Sequence, residues 1–381
     1  MSSGTAPIYV PLEPSGGSST AATSGLLAAM LGAHAQVSDL IFSPGRPPQV
    51  QSQGRLIAMV GRPLTADDTR HIASDLIGAN KQAITMLREH GSCDVSHGLP
   101  GLARFRVNIF IQRGSCAIVM RVIPTVVPTL TSLALPARLQ EAARLRDGIV
   151  LVTGPRNSGK SSTLAALLDC INEERVCHII TIEDPIEFLH NHKRATVHQR
   201  ELHSDTPSFP LGLRAAMRQA PDVILVSELR ERDTVEMAID TAESGHLVFS
   251  SLNAPDAGKA LERMVGFFAA TEQPGVRARL AKTVRWIISQ RLLPRKDGAG
   301  RTAVAQIVIV DSQLRKHFEG GDFSSEKLLE AAKRGPAQGC EGLDREIAKL
   351  VSAGVVDLDT GVMHASDPDQ LSRALSDLAA Q

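Results

Sequence analysis

The chain has 381 residues, of which 43% are hydrophobic and 22% are charged, as is usual for a globular protein. Basic and acidic residues each number 41, so the formal net charge is zero, and aromatic residues make up only 3%. This balance disfavours a nucleic-acid-binding protein, which usually has a basic excess or aromatic stacking platforms. Since no apolar run is long enough to span a bilayer and the N-terminus lacks a secretory-signal pattern, we expect a cytoplasmic protein.

The five cysteines are scattered along the chain and form no C-x-x-C pair, the spacing on which many zinc sites rely. Scattered thiols fit a reducing compartment, where they pack as small hydrophobic residues. We therefore predict no zinc centre among Cys93, Cys116, Cys170, Cys177 and Cys340.

The N-terminal third begins with a low-complexity stretch and then becomes periodic. Residues 1–22 are rich in serine, glycine, threonine and proline, which predicts a flexible tail. Residues 23–124 have a mixed α and β pattern. Within them, Arg104–Phe110 alternates like a half-buried strand, and Ala117–Ile123 predicts a second strand. These features predict an α+β domain at residues 23–124.

The rest of the chain alternates between strand and helix patterns. A proline-rich stretch at residues 125–137 is typical of a linker, and residues 138–318 then predict an α/β core. Such alternation favours a parallel sheet with helices on both faces. Apolar spacing also predicts a helix over Val276–Ile288, and residues 319–381 predict small helices. Four apolar runs predict strands at Ile149–Val152, His178–Ile182, Val223–Val226 and Leu247–Ser250.

A complete phosphate-binding motif, G-x-x-x-x-G-K-S, lies between the first of these strands and a helix pattern. Glycines let the backbone N–H groups turn towards phosphate oxygens, and the following helix adds its positive N-terminal end. Lys160 can reach the β- and γ-phosphates, while the Ser161 hydroxyl can bind Mg²⁺. The alternative is a glycine-rich turn that binds nothing. The predicted nucleotide contacts are Gly154, Pro155, Arg156, Asn157, Ser158, Gly159, Lys160, Ser161 and Ser162.

An acidic residue follows the strand predicted at Val223–Val226. The carboxyl ends of parallel strands meet at one edge of a sheet, so Glu228 is expected on the same edge as the phosphate loop. There it is a candidate for activating water and for binding Mg²⁺. The alternative is an acid at a helix N-terminus.

Two further segments carry candidate polar groups. Thr181–Glu187 places three carboxylates at the end of another strand, where acids surround Mg²⁺ and phosphates. A solvated acidic loop is the alternative for this segment. His246 precedes the last predicted strand, and it either contacts phosphate or a neighbouring group, or is structural.

Several motifs in fixed order resemble the secretion ATPase superfamily, and most closely the type IV pilus retraction ATPases, the PilT and PilU group. The resemblance covers roughly residues 24–375 and is more specific than any single motif. The chain lacks the four-cysteine zinc segment that assembly ATPases usually carry. The motifs are the phosphate loop, Thr181–Glu187, Val197–Glu201, Leu213–Arg218, Pro221–Glu228 and Ala242–His246.

This resemblance implies a homohexamer with a PAS-like N-terminal domain and a RecA-like P-loop NTPase domain. It implies an ATPase that uses ATP and Mg²⁺ to drive pilus retraction and twitching motility, with no nucleic-acid partner. The implied partners are further copies of the chain, an inner-membrane pilus platform protein and a paralogous retraction ATPase. The implied location is cytoplasmic, peripherally attached to the inner-membrane pilus machinery.

The resemblance also assigns roles to single residues. Glu187 matches the catalytic base of an acidic box, and Glu228 matches the Walker B glutamate. Arg106 and Arg121 match arginines that reach nucleotide phosphates from the N-terminal domain, and Arg218 is a further candidate contact. The candidate catalytic residues are thus Glu187, Glu228, Lys160 and His246, and the candidate metal ligands are Ser161, Glu187 and Glu228.

Three sites, comprising four residues, differ from the usual family pattern. Arg156-Asn157 stands where a small pair is common, Ser227 replaces a glycine, and Asn253 stands at a position usually held by histidine. Asparagine can form hydrogen bonds but does not titrate near neutral pH. These differences motivate a second hypothesis, a weakly hydrolysing PilU-like accessory subunit. A RecA-like nucleic-acid motor is a third hypothesis.

Overall fold

The computed structural model describes residues 19–34, 37–52, 54–124, 126–321, 323, 327–328 and 342–379. The predicted tail lies mostly outside the described residues, but its last four residues belong to a helix that begins at Ser19. Residues 324–326 and 329–341, which include Cys340, also lie outside them. The chain divides into two compact units, one up to Val126 together with Glu187–Leu189, and the other comprising the rest.

The first unit is built on a six-stranded antiparallel sheet with strand order β3-β2-β1-β6-β5-β4. Its helices are α1 (Ser19–Ala33), α2 (Ala66–Ile77) and α3 (Lys81–His90). Its strands are β1 (Val37–Phe42), β2 (Gln49–Ser52), β3 (Arg55–Ala58), β4 (Ser92–Leu99), β5 (Ala103–Gln112) and β6 (Ser115–Ile123).

Alternation along β5 explains how this sheet covers a core. Phe105, Val107 and Ile109 are completely buried against the helices, whereas Arg104 and Arg106 belong to the opposite face. Thus β5 and β6 agree with the strands predicted over 104–110 and 117–123.

The proline-rich stretch after the first unit contains no regular element up to Pro136, among its described residues. Leu130 and Leu135 are nonetheless buried in a core of the second unit, beside Leu139. The stretch is therefore packed on the second unit along part of its length. The predicted division of the chain into residues 1–22, 23–124, 125–137, 138–318 and 319–381 remains a proposal.

The second unit is built on a seven-stranded sheet with strand order β13-β12-β7-β11-β10-β8-β9, in which only the β12–β13 pair is antiparallel. Its strands are β7 (Gly148–Thr153), β8 (His178–Glu183), β9 (Thr196–Glu201), β10 (Val223–Val226), β11 (Leu247–Leu252), β12 (Val284–Pro294) and β13 (Arg301–Ile309). Its described helices are α4 (Gln140–Ala143), α5 (Lys160–Glu174), α6 (Phe209–Ala216), α7 (Arg232–Glu243), α8 (Ala257–Gly266), α9 (Gln273–Thr283), α10 (Ser312–Gly320), α11 (Leu343–Ser352), α12 (Leu358–His364) and α13 (Pro368–Ala379).

Helices cover both faces of this sheet, as the sequence predicts. Ile149 and Leu151 of β7 belong to a core on one face, while Val150 and Val152 belong to a core on the other. Because both faces are buried, the central strands are continuous apolar runs rather than alternating ones. The carboxyl ends of β7, β10 and β11 consequently share one edge.

The helix predicted over Val276–Ile288 is wrong in its second half. Helix α9 ends at Thr283, and Val284 begins β12, which pairs with both β7 and β13. A short apolar run that is buried on two faces has no period that separates a strand from a helix. Here the β-branched isoleucines and Trp286 favour the strand.

The last three described helices, α11 to α13, pack on the outer end of β12 and β13. Leu293 and Val304 join Leu343, Ile347 and Leu371 in a small separate core. No helix among the described residues combines the length and the apolar character needed to cross a membrane.

Candidate functional site

The phosphate loop connects the carboxyl end of β7 to α5, which begins at Lys160. Gly159 has a φ of 86° and Asn157 has a φ of 61°, so the backbone turns through the left-handed region twice within three residues. This conformation directs consecutive N–H groups inward at the positive end of a helix. The backbone thus has the cradle geometry that the motif predicts.

Asn157 explains how the loop departs from the family pattern without losing this turn. Asparagine is one of the few non-glycine residues that adopt left-handed φ readily, because its short amide can form local hydrogen bonds. The neighbouring Arg156 is exposed, and Arg301 reaches the carbonyl oxygen of Asn157 at 3.4 Å. The unusual Arg156-Asn157 pair is therefore compatible with a standard loop backbone.

Replacing Asn157 by valine should destabilise the protein by about 1–2 kcal/mol, because a β-branched side chain is strained at this φ. Replacement by glycine should change the free energy of unfolding by less than about 0.5 kcal/mol. Urea unfolding of both variants checks this prediction. Equal stability of the valine and glycine variants would contradict it.

A glutamine of β12 forms a hydrogen bond to the backbone of the phosphate loop. Gln290 is 2% exposed, and its Nε2 donates to the Ser158 carbonyl oxygen at 2.8 Å. Its Oε1 accepts a hydrogen bond from Thr163 of α5 at 2.6 Å. The loop, the first turn of α5 and the sheet are therefore joined through one side chain.

Lys160 links the loop to the neighbouring strand ends. Its Nζ donates to the carbonyl oxygens of Gly154 and Pro155 at 2.9 and 2.8 Å, and to Asn253 Oδ1 at 2.8 Å. The Nδ2 of Asn253 in turn donates to Glu228 Oε1. A directed chain of hydrogen bonds therefore joins the loop lysine to the predicted Walker B glutamate.

Glu228 has a second partner on its other oxygen. Arg230 Nε donates to Glu228 Oε2 at 2.8 Å, and Arg230 also pairs with Asp184 at 2.9 Å. Partial burial opposes the charged form of Arg230, but the carboxylates of Glu228 and Asp184 outweigh it and raise its pKa. The Glu228 side chain is only 17% exposed, and its orientation is set by one donor on each oxygen, Asn253 on Oε1 and Arg230 on Oε2.

Two buried hydroxyls at the carboxyl edge of the sheet have no hydrogen-bond partner among the described residues. They belong to Ser158, within the loop, and to Ser227, immediately before Glu228. Ser161, in the first turn of α5, is partly exposed at the same edge. A buried donor without a partner is costly in a protein that binds nothing there, so these hydroxyls fit a polar ligand.

The acidic segment Thr181–Glu187 is divided by the fold. Glu183 is buried and accepts hydrogen bonds from Thr181 of β8 and Gln199 of β9, so its carboxylate links two neighbouring strands of the sheet. Asp184 reaches the site through Arg230. Glu187 is exposed and belongs to the first compact unit, so its predicted role as catalytic base remains a prediction.

The predicted arginine pair also lies in the first unit. Arg106 and Arg121 are directly opposite each other on β5 and β6, and therefore lie on one face of that sheet. Arg121 forms an ion pair with Asp39 at 3.0 Å, while Arg106 lies 4.0 Å from Asp94. Their contact with nucleotide remains a prediction.

Two predicted residues lie at the other edge of the second sheet. The His246 carbonyl oxygen accepts from the Gly148 N–H, so this histidine is level with the start of β7. A six-residue strand places it about 20 Å from the phosphate loop. Arg218 likewise precedes the amino end of β10. The candidate catalytic role of His246 and the candidate nucleotide contact of Arg218 remain predictions.

His246 instead has local partners. Its Nδ1 lies 3.0 Å from the Ser244 hydroxyl and 3.2 Å from the Thr241 carbonyl oxygen, at the end of α7. This placement fits the structural alternative considered for it.

Sequence reasoning does not select three residues of the site. Asn253 stands out only as a departure from the family pattern, although its position directly after β11 places it at the correct edge. Gln290 follows the apolar run Trp286–Ile288 of β12, and a buried polar residue there is a usable signal. Arg230 follows Glu228 by two residues, a spacing that permits a side-chain contact at a strand end.

Comparison with known proteins gives this geometry a family. Residues 101–346, more than half of the chain, match the model for the Type II/IV secretion system protein family. The chain belongs to this family. The type IV pilus ATPase PilU of Pseudomonas aeruginosa is 35% identical over 334 residues, covering 88% of this chain and 86% of that protein. The retraction ATPase PilT of the same organism is 37% identical over 332 residues, covering 87% and 95%.

The crystal structure of the pilus retraction motor PilT with bound ADP is similar to this protein over most of its length. The two chains share 35% sequence identity and have a TM-score of 0.83, with coverage of 92% of this chain and 98% of that one. This similarity confirms the predicted fold class, a RecA-like P-loop NTPase domain with an N-terminal PAS-like domain. The predicted family is confirmed as well.

Proposed function

We propose that this chain is an ATPase motor that powers type IV pilus retraction. The observation that carries the proposal is the series of hydrogen bonds from Lys160 through Asn253 to Glu228, which joins a complete phosphate loop to an oriented glutamate. The relatives named as PilT and PilU support the pilus assignment, since each aligns with most of this chain. Retraction and twitching motility are the activity proposed.

The chemistry follows from the residues at the carboxyl edge. The loop N–H groups and Lys160 hold the phosphates of ATP, and the partnerless Ser158 hydroxyl gains an acceptor there. Ser161 and Glu228 would hold Mg²⁺, which neutralises phosphate charge when bound. Glu228, oriented by Asn253 and Arg230, accepts a proton from the attacking water.

The first unit contributes the remaining catalytic groups in this proposal. Glu187 acts as a further base and metal ligand, while Arg106 and Arg121 stabilise the charge on the phosphates. The assembly is a homohexamer in the cytoplasm, and it works against an inner-membrane pilus platform protein. A paralogous retraction ATPase is a further proposed partner.

Two measurements test the proposal. Purified protein should hydrolyse ATP in a Mg²⁺-dependent manner, and a strain that lacks the gene should lose twitching motility and carry excess surface pili. A strain that lacks pili altogether would indicate an assembly role and would overturn the retraction proposal.

The second candidate is a weakly hydrolysing, PilU-like accessory subunit. The observation that favours it concerns Asn253, whose amide is hydrogen-bonded to both Lys160 and Glu228. An amide does not gain or lose a proton near neutral pH, unlike the histidine that is usual at this position. Replacement of Asn253 by histidine should then raise ATP turnover severalfold, as measured at saturating ATP. If the wild-type hexamer already hydrolyses ATP at the rate of a PilT protein assayed beside it, the accessory candidate is excluded.

A further inference from the structure

Strand β12 carries a primary amide, that of Gln290, in its buried stretch, directly after the smaller polar residue Ser289. Ile287 and Ile288 precede it with no exposure, and Gln290 is 2% exposed. Burying a primary amide is costly unless its oxygen and its nitrogen both find partners. A glutamine at this position therefore requires an explanation beyond packing.

Both ends of the Gln290 amide are used, and its orientation is determined. Nε2 donates to the Ser158 carbonyl oxygen, which can only accept, so the nitrogen has to face the loop. Oε1 then faces the Thr163 hydroxyl at 2.6 Å. Thr163 also lies 3.2 Å from the Gly159 carbonyl oxygen, so the same hydroxyl contacts the end of the loop.

The two motif glycines are packed against this residue. A Cβ on Gly159 would lie 2.8 Å from Gln290 Nε2, and a Cβ on Gly154 would collide with the Gln290 carbonyl oxygen. Contacts this short do not occur between real side chains and their neighbours. The glycines therefore permit close approach to β12 in addition to their backbone conformation.

We infer that Gln290 is a positioning residue for the phosphate loop, which sets the distance of the loop N–H groups and of the α5 N-terminus from the sheet. The inference rests on the proposed nucleotide function of this site. Gln290 acts through Ser158 and Thr163, and it fixes the cradle before nucleotide arrives. Loss of the amide should therefore weaken nucleotide binding rather than the catalytic step.

Four variants of the full chain test this role. Gln290→Leu removes both polar ends at similar volume, whereas Gln290→Glu keeps an acceptor for Thr163 but turns a carboxylate towards the Ser158 carbonyl oxygen. Thr163→Val removes only the hydroxyl. Gln306→Leu makes the same chemical change on β13, where the side chain is half-buried and has no hydrogen bond among the described residues.

The readouts are the Kd of Mg-ADP by calorimetry, KM and kcat for ATP, and the thermal unfolding midpoint. Amide hydrogen exchange of the nucleotide-free protein reports on loop order directly. We expect Kd and KM to rise at least tenfold for Gln290→Leu and at least as much for Gln290→Glu. The rise should be smaller for Thr163→Val and absent for Gln306→Leu, with kcat changed less than KM. Exchange at Gly159, Lys160 and Ser161 should be faster in Gln290→Leu while that of β10 stays unchanged.

Other outcomes overturn the inference. They are Kd values within twofold of wild type for both Gln290 variants, unchanged exchange of the loop, or losses of affinity that follow the unfolding midpoint across all four variants. Failure of the proposed function gives a different result, since the wild-type chain itself would then not bind Mg-ADP.

Discussion

Replacing Lys160 by alanine is expected to reduce ATP turnover by about 10²- to 10³-fold, because the variant loses the cation that meets charge developing on the phosphates. The Lys160 ammonium donates to the carbonyl oxygens of Gly154 and Pro155 and to Asn253 Oδ1. The two carbonyl oxygens lie at a partly exposed loop, where water can replace the lysine. The free energy of unfolding should therefore change by only about 1 kcal/mol.

A matched control is available on α8. Lys259 is exposed near a helix N-terminus and forms an ion pair with Glu262 at 2.7 Å, so Lys259→Ala makes the same change away from the loop. Steady-state ATPase assays and urea unfolding of both variants separate catalysis from folding. Wild-type turnover by Lys160→Ala would exclude this loop as the site of hydrolysis.

Replacing Glu228 by glutamine should reduce kcat by roughly 10²- to 10⁴-fold, since an amide cannot accept the proton of the attacking water. The hydrogen-bond directions make this substitution informative. Lys160 can only donate, so Asn253 has to face it with its oxygen and face Glu228 with its nitrogen. A glutamine at position 228 then has to turn its oxygen towards Asn253 and its nitrogen towards Arg230. The glutamine N–H and the Arg230 N–H are both donors, so they cannot form a hydrogen bond with each other.

Arg230 should therefore lose its bond to residue 228 and keep Asp184, its partner at 2.9 Å. Affinity for Mg-ADP should stay within a few-fold of wild type, because the phosphate loop is untouched. Glu236→Gln, on α7 and half-exposed, is the control for the loss of one negative charge. A Glu228→Gln variant that turns over normally would move the water-activating role to another carboxylate.

The sequence predicts the central features of the site because those features are local. A strand, a glycine-rich turn and a helix in succession define the phosphate loop, and Glu228 follows from the rule that parallel strands end at one edge. Four strands of the second sheet, β7, β8, β10 and β11, are recognisable as apolar runs, whereas β9 and β13 are not predicted and β12 is assigned in part to a helix. Its apolar residues fit a helix as well as a strand until its two neighbours in the sheet are known.

The missing parts depend on contacts between distant residues. Gln290 is 132 positions from Ser158, and Asn253 is 93 positions from Lys160, so neither bond has a local pattern. The motif around His246 suggests a place in the site, but strand direction puts this histidine at the opposite edge from Asn253. Glu187, Arg106 and Arg121 belong to the other compact unit, where their roles are proposals.

Adjacent residues of β12 serve two different parts of the second unit. Gln290 holds the phosphate loop, whereas Arg291 donates to the His364 carbonyl oxygen and to the Ser366 hydroxyl at 3.0 Å. Truncation of the chain before Leu343 would remove the partners of Arg291 and expose the apolar surface of Leu293, on the strand that pairs with β7. A variant that lacks the C-terminal helices is therefore a poor reference for ATPase rates, because its core would be altered as well. Point substitutions on their outer surface are the appropriate way to separate any partner binding by these helices from hydrolysis.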